Sequence, residues 1–164
     1  MKKLFNYRHI LAVISMALLL CSFSPGDKDK EYCNGRFVFC ITYPNNFKGE
    51  GESPNGDGQI FTGGDGAEIR AFGSLAITDF DQITDVYKTA VSDIKVVYKV
   101  VKPSYFIFSG TDKSGNIVYR KTIKKNVNYL GEGATAVFQT LMITYPAASQ
   151  AKYAGYCTTI AKSL

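Results

Sequence analysis

Five carboxylates stand within nineteen positions of one another: Glu50, Glu52, Asp57, Asp65 and Glu68. Two carboxyl groups held about 5–10 Å apart across a cleft can divide general-acid and general-base work, as in glycoside hydrolysis. The bland alternative is a solvated loop built from Asp-Gly turns. The composition favours it, because residues 48–66 hold seven glycines and one proline. The chain also has no tryptophan to form a sugar platform. A second chemistry for the same stretch is cation binding. Residues 53–60 overlay the first part of an EF-hand loop, with Asn55 and Asp57 at its third and fifth positions and Gly58 at its sixth. The overlay then fails. Ser53 replaces the opening Asp, and Gly64 stands where the bidentate Glu belongs. Asn55 and Asp57 are therefore the only calcium candidates, and no other metal site is expected.

Other chemistries are excluded by residue type. The one histidine, His9, lies in an N-terminal leader, so the domain has no imidazole. Ser-His-Asp and Cys-His nucleophile systems lack their base, and the usual catalytic zinc sites lack their ligands. Gly63-Gly64-Asp65-Gly66 leads into a strand, whereas phosphate loops open a helix. No catalytic residue and no cofactor is expected.

Four cysteines remain to be placed. Cys21 directly follows Leu18-Leu19-Leu20 and resembles the lipidated cysteine of a bacterial lipobox, although Leu20 departs from the small residue that motif wants. Cys33, Cys40 and Cys157 are an odd set for an oxidising compartment. One bridge and one buried thiol is the simplest arrangement. A Cys33–Cys40 bridge requires the intervening residues to turn back, against their strand pattern. A hairpin turning at Asn34-Gly35 would oppose Cys33 to Arg36. Cys157 could meet either partner. The spacing is not CxxC, which argues against a thioredoxin-like redox role.

The leader sets the compartment. Lys2, Lys3 and Arg8 precede an apolar run over residues 10–20 interrupted only by Ser15. A basic start and a short apolar run describe a secretory signal peptide, and the run is well short of the ~20 residues that cross a bilayer. Lipidation at Cys21 and ordinary cleavage near Ser24 and Gly26 are both open. The formal charge of +5 falls once the leader is set aside, leaving 16 basic residues against 14 acidic. That balance carries no footprint for nucleic acid. The expected organisation is a signal peptide over 1–21, a flexible linker over 22–32 and one domain over 33–164.

The elements follow from periodicity. Residues 36–43 alternate Phe37, Phe39, Ile41 and Tyr43 on one side, and apolar Val38 and Cys40 predict cover on the other side too. Residues 48–66 read as loop, with Ile60-Phe61-Thr62 an apolar island. A strand is predicted over 67–72. Apolar residues then recur at three- and four-residue spacing over 79–94, predicting an amphipathic helix capped by Asp79 or Asp81. Strands are predicted over 96–101, 105–111, 116–123 and 134–145. A hairpin turn is predicted at 112–115, and a polar loop at 124–133. Tyr153, Tyr156, Cys157, Ile160 and Leu164 make one face of a terminal helix. With 11 Tyr and 11 Phe, most aromatics must be core. Tyr105, Phe106 and Phe108 fall on both sides of one strand and are candidates for a surface groove. The class is α+β: a mostly antiparallel twisted sheet of about six to seven strands, with a mid-chain and a C-terminal helix packed on it.

FVFCITYPNNF at residues 37–47 resembles the opening strand of PsbP-like domains, which alternate aromatics and stop at Tyr-Pro. The chain also resembles a group of uncharacterised exported bacterial proteins through RFVFCITYPNNF, NGDGQIF, VVYKVVKPSYFIFSG and GNIVYRKT. The resemblance implies the PsbP-like fold and a non-enzymatic accessory or binding role, without implying photosynthesis. The expected protein is an exported binding module of the cell envelope, periplasmic or anchored as a lipoprotein. Its partner would be a protein or envelope component, with membrane contact only through a lipid on Cys21. The alternative is a small-ligand-binding or hydrolytic module using the carboxylates of residues 50–68.

Overall fold

A computed structural model describes residues 29–77 and 82–164. The leader, Cys21 and the cap candidates Asp79 and Asp81 lie outside the described residues. The chain opens with a hairpin, β1 (Lys30–Asn34) and β2 (Phe39–Tyr43). A seven-stranded antiparallel sheet follows: β3 (Phe47–Glu52), β4 (Gly58–Gly63), β5 (Glu68–Leu75), β6 (Lys95–Lys102), β7 (Tyr105–Thr111), β8 (Asn116–Asn128) and β9 (Ala134–Pro146). Its spatial order is β3-β4-β5-β9-β8-β7-β6. Helix α1 (Ile83–Ala90) joins β5 to β6, and α2 (Gln150–Lys162) ends the chain. No helix among the described residues is long and apolar enough to cross a membrane.

Alternation along β5, β8 and β9 divides the sheet into two faces, and each face is half covered. On one face Phe61, Ile69, Leu141 and Ile143 pack with Phe37, Ile41 and Ile160, under the β1–β2 hairpin and α2. On the other, Phe106, Phe108, Val118 and Phe138 pack with Ile83 of α1. The register carries this second face across to β5, where Ser74 lies opposite Phe138, Phe72 opposite Thr140 and Arg70 opposite Met142. Helix α1 does not reach that half, so among the described residues the second face of β3–β5 is bare.

Several expectations change. Phe37, Phe39, Ile41 and Tyr43 are buried as their alternation requires, but Val38 and Cys40 are exposed. The strand has one covered face because none of the described residues lies over the hairpin's outer side. The linker ends before position 32, since Lys30, Glu31 and Tyr32 pair with Tyr43, Thr42 and Ile41. Residues 48–66 are not a loop but the β3–β4 hairpin, whose glycines accommodate an irregular register between Gly49 and Glu52. The first half of the predicted loop over 124–133 is strand, because β8 continues to Asn128 opposite Ala134. Its polar side chains alternate with Val127, which reaches the core.

The bridge is Cys33–Cys40. The chain does turn back, through residues 35–38, and places the two cysteines directly opposite in the hairpin register. The alternative of a hairpin turning at Asn34-Gly35, which would set Cys33 against Arg36, is a tighter turn than the chain makes. Val38 supplies the reversal with φ 54°, a left-handed conformation that a β-branched residue rarely adopts. Cys157 is a free, half-buried thiol 3.8 Å from the Tyr145 hydroxyl, and burial pushes its pKa up.

Candidate functional site

The bare half-face is shaped into a cleft of about 560 Å³, lined by Glu50, Asp57, Ile60, Arg70, Phe72 and Ser74 among others. This size suits a small ligand or a few inserted side chains. Its floor depends on Gly58. A Cβ there would stand 2.1 Å from the Ala71 carbonyl oxygen and 2.6 Å from the Phe72 Cα. Only glycine lets β4 approach β5 this closely.

One wall is clasped from the N-terminal hairpin. Arg36 reaches across to donate to Asp57 Oδ1 at 2.8 Å, to the Asn55 carbonyl, and through Nε to the Tyr129 hydroxyl at 2.7 Å. Its guanidinium also lies 5.2 Å from the Phe37 ring centre and 5.6 Å from that of Tyr129. Beneath it, buried Asn34 accepts from the Phe37 amide at 2.7 Å. It donates to Glu52 Oε1 at 2.8 Å and to the Gly56 carbonyl at 2.9 Å. Gln139, fully buried in β9, donates to the Phe37 and Val38 carbonyls at 2.8 and 3.2 Å, which holds the strained turn.

The five carboxylates do not form one site. Glu50 and Asp57 share the cleft lining. Glu52 faces the β1–β2 hairpin, where Tyr32 also donates to it at 2.8 Å. Asp65 lies against α2, accepting from Lys152 at 2.7 Å and Tyr153 at 2.8 Å. Those two donors hold its carboxyl down at about 2. Glu68 pairs with Arg70. Within the cleft, Glu50 accepts from Thr62 at 2.6 Å and Asp57 is taken by Arg36 and Asn55. Each carboxylate is thus committed to its own donor. The calcium candidates Asn55 and Asp57 do meet, but as partners of one another beside a guanidinium that a cation would have to displace. The described residues hold one group with metal-ligand spacing, Glu31 with Cys33 and Cys40, and its sulfurs are spent in the disulfide.

The aromatic candidates separate. Phe106 and Phe108 are fully buried under α1, while Tyr105 is only partly covered. Neighbouring Val97 and Tyr98 are 79% and 51% exposed. Residues that sequence reasoning missed are Asn34, Arg36 and Arg120. For Arg120 a signal was present: in β8 it alternates with Val118 and Thr122, which places a charge on a core-facing row.

No family model matches the chain, and a search of curated proteins returned no match. Among solved structures, the solution structure of cyanobacterial PsbP (CyanoP) from Synechocystis sp. PCC 6803 superposes with a TM-score of 0.51 at 15% identity. It covers 88% of this chain and 97% of its own. The fold is PsbP-like. The identity is too low to carry anything more than the fold, and the PsbP-like scaffold leaves the cleft's occupant open.

Proposed function

We propose that the protein is an exported, non-enzymatic binding or accessory protein of the bacterial cell envelope, and that the cleft on β3–β5 is its binding surface. The observation that carries this reading is the commitment of every carboxylate in residues 50–68 to a structural donor. Acid-base catalysis needs a carboxyl free to exchange a proton with substrate. The cleft instead offers an apolar floor, Ile60 and Phe72, rimmed by fixed charges, which suits recognition. The leader supports export, with lipidation of Cys21 and ordinary cleavage as its two routes. Metabolic labelling with a fatty acid separates them, since label that disappears in Cys21→Ala assigns the anchor.

The role is tested by pull-down from envelope extracts, with cleft variants (Ile60→Asp, Arg70→Glu) and aromatic-surface variants (Tyr98→Ser, Tyr105→Ser) in parallel. A partner lost with the cleft variants alone supports the reading. Recovery that neither set alters overturns the choice of surface. The second reading, a small-ligand-binding or hydrolytic module, is favoured by the cleft's volume. It requires turnover or ligand uptake that depends on Glu50.

A further inference from the structure

Three arginines lie in the described residues, and two are paired with carboxylates: Arg36 with Asp57 and Arg70 with Glu68. Arg120 is not. It stands at the centre of the half-covered face, in β8 between Phe108 of β7 and Met142 of β9. Its guanidinium lies between the rings of Phe72 and Phe106, 5.5 Å from each centre. Nε donates to the Thr122 hydroxyl at 3.0 Å, and one terminal nitrogen reaches the Thr140 hydroxyl at 3.5 Å. Those two hydroxyls also bond to one another at 2.8 Å. A guanidinium carries five N–H donors, so most of its donor capacity is unspent. Burial depresses its pKa to about 10.

A cation drawn out of water is ordinarily matched by an anion. Among the described residues no carboxylate pairs with Arg120. What adjoins it is a recess of about 480 Å³ between the sheet and α1, lined by Asp85, Val86, Thr89 and Ala90. Asp85 is paired with Lys88 at 3.0 Å, on the exposed side of the helix. The aromatic sandwich fixes the guanidinium plane, and the threonines fix one edge of it.

We propose that Arg120 anchors a site for a single carboxylate group, with the rest of the ligand lying against Val86 and Ala90. The planar fork matches a carboxylate in bidentate fashion. Asp85 at the rim disfavours a dianion such as a phosphate monoester more strongly than a monoanion. The carboxylate could be that of a free organic acid or of an acidic side chain on a partner, and one experiment separates the two. This site shares Phe72 with the β3–β5 cleft but has its own charge and its own lining from α1, so its test does not depend on the preceding reading.

The test follows the Arg120 Nε–H resonance of the full chain by NMR. Sodium hexanoate and N-acetyl-glutamate amide are titrated separately at constant ionic strength, with sodium chloride as control. The expected result is a saturable shift with at least one carboxylate and none with chloride. Saturation with hexanoate assigns a free acid, and saturation with the glutamate derivative alone assigns a partner's side chain. Arg120→Gln should weaken binding at least tenfold, followed through the α1 amide signals. Thr89→Glu, on the exposed side of α1, places a competing carboxylate at the recess and should weaken binding about fivefold, so the test survives if Arg120→Gln does not fold. Non-saturable shifts with both carboxylates, an equal shift with chloride, or unchanged affinity in the variants that fold would overturn the proposal.

Discussion

Replacing Gly73 by alanine should expel Phe37 from the core and loosen the clasp on the cleft. An added Cβ would stand 2.1 Å from Phe37 Cγ and 2.5 Å from its Cβ and Cδ2, where ordinary contact begins at 3.4 Å. More than an ångström must open, and little can give. Phe37 is 1% exposed. Its amide is held by Asn34 and its carbonyl by Gln139, so the backbone cannot slide away without breaking both bonds. Overpacking ordinarily costs about 1–3 kcal/mol, and loss of a buried Phe about 3–5 kcal/mol. Because expulsion is the available response, Gly73→Ala should cost about 3 kcal/mol. Phe37→Ala alone should cost about 3–5 kcal/mol. The double variant then refills part of the vacated space. It should be less destabilised than the sum of the singles by about 2 kcal/mol, the coupling expected of directly touching residues. Urea unfolding followed by tyrosine fluorescence and circular dichroism measures all three. A Gly73→Ala cost below about 1 kcal/mol, or strict additivity in the double variant, would refute the packing argument.

Three further outcomes are expected. Asp65 has its folded pKa lowered from 3.8 to about 2, so its contribution is present above pH 4 and is lost as pH falls from about 4 to about 2. Thermal midpoints should drop through that window in the wild-type protein and less steeply in Asp65→Asn; parallel profiles would contradict the assignment. Cys33→Ser with Cys40→Ser should lower stability by about 2–3 kcal/mol, as expected for a short closed loop, while leaving the circular dichroism spectrum unchanged. Val38 is 49% exposed at φ 54°, so Val38→Gly removes little packing and relieves a left-handed β-branched residue. Stability should rise by about 1 kcal/mol, and a fall would show that the turn is not strained.

The fold was legible where alternation was unbroken. Tyr105–Thr111 carries its inward residues at every second position, Ala134–Pro146 is a long run buried on both faces over residues 137–141, and α2 shows its Tyr153, Tyr156 and Ile160 stripe. The β3–β4 hairpin was not legible, because its strands are one-third glycine and face solvent on one side, so composition imitates a loop. Cys33–Cys40 was obscured for a related reason. Phe37 alternates with Phe39 as a strand residue would, yet it reaches the core from a turn. The candidate carboxylates were found by type, but their separation onto the cleft, the hairpin and α2 follows from pairings far apart in sequence. Arg36 with Asp57 and Asp65 with Lys152 are such pairings, and no local pattern encodes them. Arg120 needed only the alternation of β8 to be noticed, but that no carboxylate among the described residues pairs with it is a property of the assembled sheet.

The central claim is that the β3–β5 cleft binds and does not catalyse. Its most direct test is the affinity of the partner recovered from envelope extracts for Ile60→Asp and Glu50→Gln. Ile60 is 37% exposed on the cleft lining, and Glu50 is held by Thr62. Affinity should fall at least tenfold with Ile60→Asp, an apolar contact replaced by a charge that must be desolvated on binding, and should change less than threefold with Glu50→Gln. Undiminished binding by Ile60→Asp, or a turnover that Glu50→Gln abolishes while the fold is retained, would contradict it.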